Sequence, residues 1–127
     1  MSEDEYTALR KEARDLPPVP EAWNIMLPTT LKVVGVEADH EGMAAYLETA
    51  LFRAAELGGS IVVFGSAPSR RVPEDWPRDE ALKQFEDACL RAGKVARKHG
   101  ITLAVEPLPS STVNLVNCVA EGARVVD

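Results

Sequence analysis

Apolar positions recur at three- and four-residue steps in two long stretches of the chain. After Asp39 they are Met43, Tyr46, Leu47, Ala50, Leu51, Ala54 and Leu57. Between Asp79 and His99 they are Leu82, Phe85, Cys89, Ala92 and Ala96. That step puts them on one face of a 3.6-residue turn, so each stretch predicts an amphipathic helix. Gly58-Gly59 and Gly100 follow, where glycine supplies the left-handed residue that closes a helix. A third helix is expected over Ser2 to Asp15, because Ser2 and Glu5 are spaced for a capping box. Leu16-Pro17-Pro18-Val19-Pro20 ends it, since proline cannot continue the hydrogen-bond ladder. A fourth helix runs toward the C-terminus, with Ser111 or Thr112 as its cap.

Between the helices the pattern changes. "EAWNIMLP" (Glu21 to Pro28) alternates, with Trp23, Ile25 and Leu27 set against Asn24 and Met26, and predicts a short strand. "SIVVFGS" and "ITLAVEP" are short apolar runs bounded by turn residues, as expected of buried parallel strands. "TTLKVVGVEAD" reads as a connecting loop. "APSRRVPEDWPRD" reads as a long polar loop with three prolines and three arginines. Helices and strands therefore alternate strictly, which predicts an α/β fold with a parallel sheet.

Composition adds exclusions. The 127 residues suffice for one domain, and 46% hydrophobic with 27% charged residues is ordinary for a globular chain. No apolar run reaches the roughly 18 to 20 residues of a membrane span. The first fifteen residues are acidic and amphipathic, without a signal-peptide apolar region, so a cytoplasmic location is the expectation. A net charge of -6 argues against nucleic acid as a broad electrostatic partner. Cys89 and Cys118 fall in helical patterns and are expected to be buried free thiols.

Ligands of parallel α/β folds bind at the C-terminal ends of strands. Three loops leave those ends, at Leu27-Pro28, Gly65-Ser66 and Glu106-Pro107. Glu106 ends a buried run, where a carboxylate is costly unless it meets a cation or donors. It is the first candidate. Arg70, Arg71 and Trp76, on the long loop, are candidate substrate contacts, because long ordered loops often bind or cover ligands. Asn114 could orient a substrate hydroxyl, although local backbone bonding is the commoner use of Asn114 and Asn117. His40, read as exposed in the first turn of a helix, and His99, at a helix C-terminus, are weak candidates without partners. Glu37 reads as a solvated charge.

"LKVVG", "AAYLETALFRAAELGGSIVVFGS", "RRVPEDWPRDEALKQFEDACLRAGKVARKHGITLAVEPL" and "NLVN", in that order and spacing, resemble the sugar phosphate isomerase/epimerase family with the xylose isomerase-like TIM barrel. The resemblance implies a partial (β/α)8 TIM barrel of three parallel strands and four helices. It implies a divalent cation, manganese or magnesium, held by two glutamates, an aspartate and a histidine. Glu106, in "EPL", carries over as one metal ligand. In ketose epimerase relatives that glutamate also moves a proton beside a carbonyl, through an enediolate.

By the resemblance, strands three to five of the barrel are present. The remaining aspartate, histidine and glutamate ligands would lie on strands this sequence does not hold; Asp127 does not match that aspartate. Many relatives continue "EPLN-R-x-E-T-N", where this chain has Pro109, Ser110 and Thr112 in place of the asparagine, arginine and glutamate. The expectation is a metal-dependent sugar or sugar phosphate isomerase/epimerase site, inactive in the 127-residue chain alone. The alternative is a non-catalytic half-barrel that binds a partner chain or small ligand. Open sheet edges offer a route to self-association. A flavodoxin-like module is disfavoured, because no glycine-rich phosphate loop follows a strand. A barrel that cuts DNA at abasic sites is disfavoured by the acidic charge.

Overall fold

The computed structural model describes residues 1–14 and 18–126. Asp15, Leu16, Pro17 and Asp127 lie outside the described residues, and with them part of the expected break after the first helix. The order is α1 (Glu3–Arg14), β1 (Ala22–Trp23), α2 (His40–Glu56), β2 (Ile61–Phe64), α3 (Arg78–Lys98), β3 (Thr102–Val105) and α4 (Val119–Val126), with a short 3-10 turn at Ala67–Ser69.

Local chemistry sets most of these boundaries. The capping box forms: the Ser2 N–H donates to Glu5 Oε2 at 2.7 Å and the Glu5 N–H donates to Ser2 Oγ at 3.2 Å. Asp39 caps α2 by accepting from the Gly42 N–H at 2.8 Å. Gly58 (φ 89°) and Gly100 (φ 68°) take the left-handed turns that follow α2 and α3.

The three strands form one parallel sheet in the order β1-β2-β3. Ile61 to Phe64 pair in register with Thr102 to Val105. Side chains alternate across it. Val62 and Phe64 are buried against the helices, and the Phe64 ring lies 5.1 Å from that of Phe85 on α3. Leu103 and Val105 pack on the same side. Ile61, Val63 and Ala104 point to the other face and stay half-buried. The core is thus one-sided, between sheet and helices. No helix among the described residues is long and apolar enough to cross a membrane.

Three expectations fail. The first strand is two residues long, not eight. The chain turns left-handed at Ile25 (φ 57°), leaving Ile25 exposed and burying both Met26 and Leu27. The last helix starts at Val119 rather than near Ser111. The Thr112 and Val113 N–H groups donate to the Pro109 carbonyl in a tight turn, and Asn117 Nδ2 donates to the Leu108 and Val113 carbonyls. Cys118 is consequently exposed ahead of α4, whereas Cys89 is buried as expected.

Burial raises the Cys89 thiol to about 12, against a weaker opposing pull from Arg70. A thiol-reactive dye at neutral pH is therefore expected to modify one of the two cysteines quickly. Mass mapping should place the label on Cys118, with Cys89 reacting only after denaturation.

Candidate functional site

The parallel register brings Gly65, one residue past β2, beside Glu106, one past β3. Both lie on the inner face, opposite the helices. A Cβ built on Gly65 would come within 2.2 Å of Glu106 Oε2, so the carboxylate lies directly over the glycine. Glu106 is exposed. It opens into a cleft of about 430 Å³ lined by Asn24, Ile25, Leu27, Ser66, Pro68 and Leu108 among others. Ser66 takes a left-handed conformation (φ 32°), and its Oγ accepts the Leu27 N–H at 2.9 Å, tying the ends of β1 and β2 together. Two residues of this rim, Ile25 and Ser66, hold backbone conformations that cost about 1–3 kcal/mol each, a pattern common at ligand sites.

Behind the cleft lies Arg70. It is fully buried, stacks 5.4 Å from the centre of the Phe85 ring, and its Nη2 donates to the Glu106 carbonyl oxygen at 2.6 Å. Its Nε and Nη1 have no partner among the described residues. Burial lowers its affinity for the proton, and attraction to the Glu106 carboxylate acts the other way. Arg70 therefore braces the backbone that carries Glu106; it does not line the cleft.

The other expected substrate contacts are also placed elsewhere. Arg71 is exposed and donates to the Thr112 carbonyl. Trp76 is half-buried and packs on the core. Asn114 bridges the Val72 backbone, accepting its N–H and donating to its carbonyl, each at 2.9 Å. The expected substrate loop is thus pinned to the segment after β3, which agrees with the backbone-bonding reading of Asn114 and Asn117.

His40 is not exposed. Its Nδ1 lies 2.7 Å from Asp87 Oδ2 on α3 and its Nε2 lies 2.9 Å from the Val33 carbonyl, so the ring joins the start of α2 to α3 and to the segment that precedes α2. His99 caps α3 and lies 3.3 Å from Glu48. Glu37 is exposed in the loop before α2.

Gly65 and Ser66 were not singled out by the sequence as site residues. The available signal was "GS" ending one buried run and "EP" ending the next, which parallel pairing places side by side.

Among the described residues no group of three or more His, Cys, Asp or Glu side chains is gathered as a metal site. Among the described residues Glu106 is the one ionisable group lining the cleft. A single carboxylate does not satisfy a cation that takes six or more oxygen ligands. The donor set of this chain therefore does not fit a resident divalent metal by itself.

A scan of protein families matches residues 21–127 to the family described as xylose isomerase-like TIM barrel. The chain belongs to that family. Its three parallel strands, with helices packed on one face, form part of such a barrel. Comparison with curated proteins gives no match.

Proposed function

We propose that this member of the xylose isomerase-like TIM barrel family carries the Glu106 half of a sugar isomerase/epimerase site, acting on ketoses or their phosphates. The observation that carries the reading is the position of Glu106. It is an exposed carboxylate at the C-terminal end of a parallel strand, on the inner face, over a glycine that leaves it room. A carboxylate so placed can accept a proton from the carbon beside a sugar carbonyl and return it, passing through an enediolate. Asn24, Thr29 and Ser66 border the same cleft and offer polar groups to sugar hydroxyls.

Among the described residues the cleft lining holds no second acid or base. Nothing there protonates the developing enediolate oxygen or offsets its charge, so we expect the 127-residue chain to bind sugar without turning it over. The manganese or magnesium expected from the family needs ligands beyond Glu106. The same lone carboxylate favours one other reading, a half-barrel that binds ligand or partner without catalysis. The partner class proposed is a small sugar, together with other copies of the chain meeting at open sheet edges.

Saturation-transfer NMR in D₂O with a panel of ketoses and ketose phosphates tests the proposal. Wild type should show transfer to sugar. Glu106→Gln should weaken binding roughly tenfold, the scale of a charged hydrogen bond. The hydrogen beside the carbonyl should persist with wild type alone. Binding indifferent to Glu106→Gln would remove Glu106 from the site. Loss of that hydrogen with the lone chain would show that it is competent after all.

A further inference from the structure

α3 is much longer than the helix packed beside it. α4 contacts α3, and Arg78 Nη2 donates to Glu121 Oε1 at 3.2 Å, so the first turns of the two helices stand side by side. α3 spans 21 residues and α4 spans eight. At 1.5 Å per residue they measure about 31 Å and about 12 Å. Among the described residues, α4 therefore accompanies less than half of α3.

An open groove of about 850 Å³ lies along the remainder, at the N-terminal end of β3. Leu90 and Gly93 of α3, Ile101 and Leu103 at the start of the last strand, and Val126 of α4 line it. Leu90 is 57% and Val126 62% exposed. Leu90, Gly93, Lys94 and Arg97 follow one another at three- and four-residue steps, so they share one face of α3. It is not the face of Phe85, Ala92 and Ala96, which is buried in the core. Gly93 costs α3 about 1 kcal/mol relative to alanine. A Cβ there would meet nothing within 4 Å, so no contact inside the chain requires the glycine. Its bare backbone leaves a second helix room to approach closely.

Charge identifies what fits. The chain carries a net charge of -6, yet the groove is lined by Lys94 and Arg97 and, among the described residues, by no carboxylate. Both cations are exposed, and none of the ion pairs among the described residues uses either. An apolar groove rimmed by two uncompensated cations complements an amphipathic helix whose apolar stripe is flanked by carboxylates.

We propose that this groove docks an acidic amphipathic helix of a partner protein, laid beside the part of α3 that α4 does not reach. The groove lies at the opposite end of β3 from Glu106, so the sugar site stands or falls separately.

Fluorescence anisotropy on the full chain tests this. The probe is a labelled helical peptide with leucines at three- and four-residue steps flanked by glutamates, and its twin carries lysines in place of the glutamates. Wild type should bind the glutamate peptide at least tenfold more tightly than the twin. Lys94→Glu with Arg97→Glu should reverse that order. Leu90→Asp and Gly93→Gln should each weaken the glutamate peptide at least tenfold. Equal affinity for the two peptides, no binding, or binding indifferent to Leu90→Asp and Gly93→Gln would overturn the proposal. So would a wild-type sedimentation mass above that of one chain that falls to one chain in Leu90→Asp, because a second copy would then occupy the groove. If Leu90→Asp loses its cooperative melt, Gly93→Gln decides alone, because glutamine is the better helix former and its Cβ has open space.

Discussion

Phe64→Ala is expected to leave the chain without a cooperative thermal transition. The ring is fully buried, stacks on Phe85, and sits in the middle strand, so it touches both the sheet and α3. Truncating a buried phenylalanine costs about 3–5 kcal/mol, through lost transfer energy and the cavity left behind. Small domains have only about 5–15 kcal/mol in total. This chain should lie at the low end, because its sheet buries one face well and leaves Ile61, Val63 and Ala104 half-covered. Circular dichroism on heating reads the result. A variant that still melts sharply within a few degrees of wild type would show that stability does not depend on the one-sided core.

Gly65→Ala should do the opposite: keep the fold and lose the site. The added methyl would meet Glu106 Oε2 at 2.2 Å, so something must move. The obstructing atom is the tip of a flexible side chain, and the carboxylate can rotate into solvent at small cost. Gly65 is not among the positive-φ glycines, so alanine fits its backbone. The reduced freedom of the unfolded chain returns about 0.4–1 kcal/mol. The expected outcome is a melting temperature close to wild type with sugar binding reduced as in Glu106→Gln. Undiminished binding would mean that the carboxylate position over Gly65 is irrelevant to the ligand.

The contrast between these substitutions marks what the sequence made legible. Elements set by local chemistry were readable: the Ser2–Glu5 box, the Asp39 cap, the glycines after α2 and α3, and the apolar runs of β2 and β3. Periodicity failed where tertiary contacts overrode it. Trp23, Ile25 and Leu27 alternate like a strand, yet the Leu27 N–H is held by Ser66 Oγ, thirty-nine positions away, and the chain twists at Ile25 to reach it. Ser111 and Thr112 are good helix caps, but turn bonds to Pro109 and the side chains of Asn114 and Asn117 hold that segment in turns.

The site was legible to the same degree. Glu106 was visible because a carboxylate ending a buried run needs a reason. By sequence Arg70 and Arg71 are equally candidate substrate contacts, since nothing in "SRRVPE" distinguishes the arginine that turns inward from the one that turns out. That difference comes from contacts of Arg70 with Phe85 and with the Glu106 carbonyl, both distant in sequence. The role of Gly65 depends in turn on the register of β2 with β3, which is a property of the sheet rather than of either strand.

The most direct test of the Glu106 site follows its carboxyl carbon. In a chain labelled with ¹³C at the glutamate carboxyls, the Glu106 resonance can be assigned by its disappearance in Glu106→Gln. Titration with a ketose should move that resonance saturably while Glu37 and Glu74, which line a separate depression on the outer loops, stay still. A Glu106 signal that does not respond while Glu37 or Glu74 shifts would place the sugar elsewhere and contradict the account.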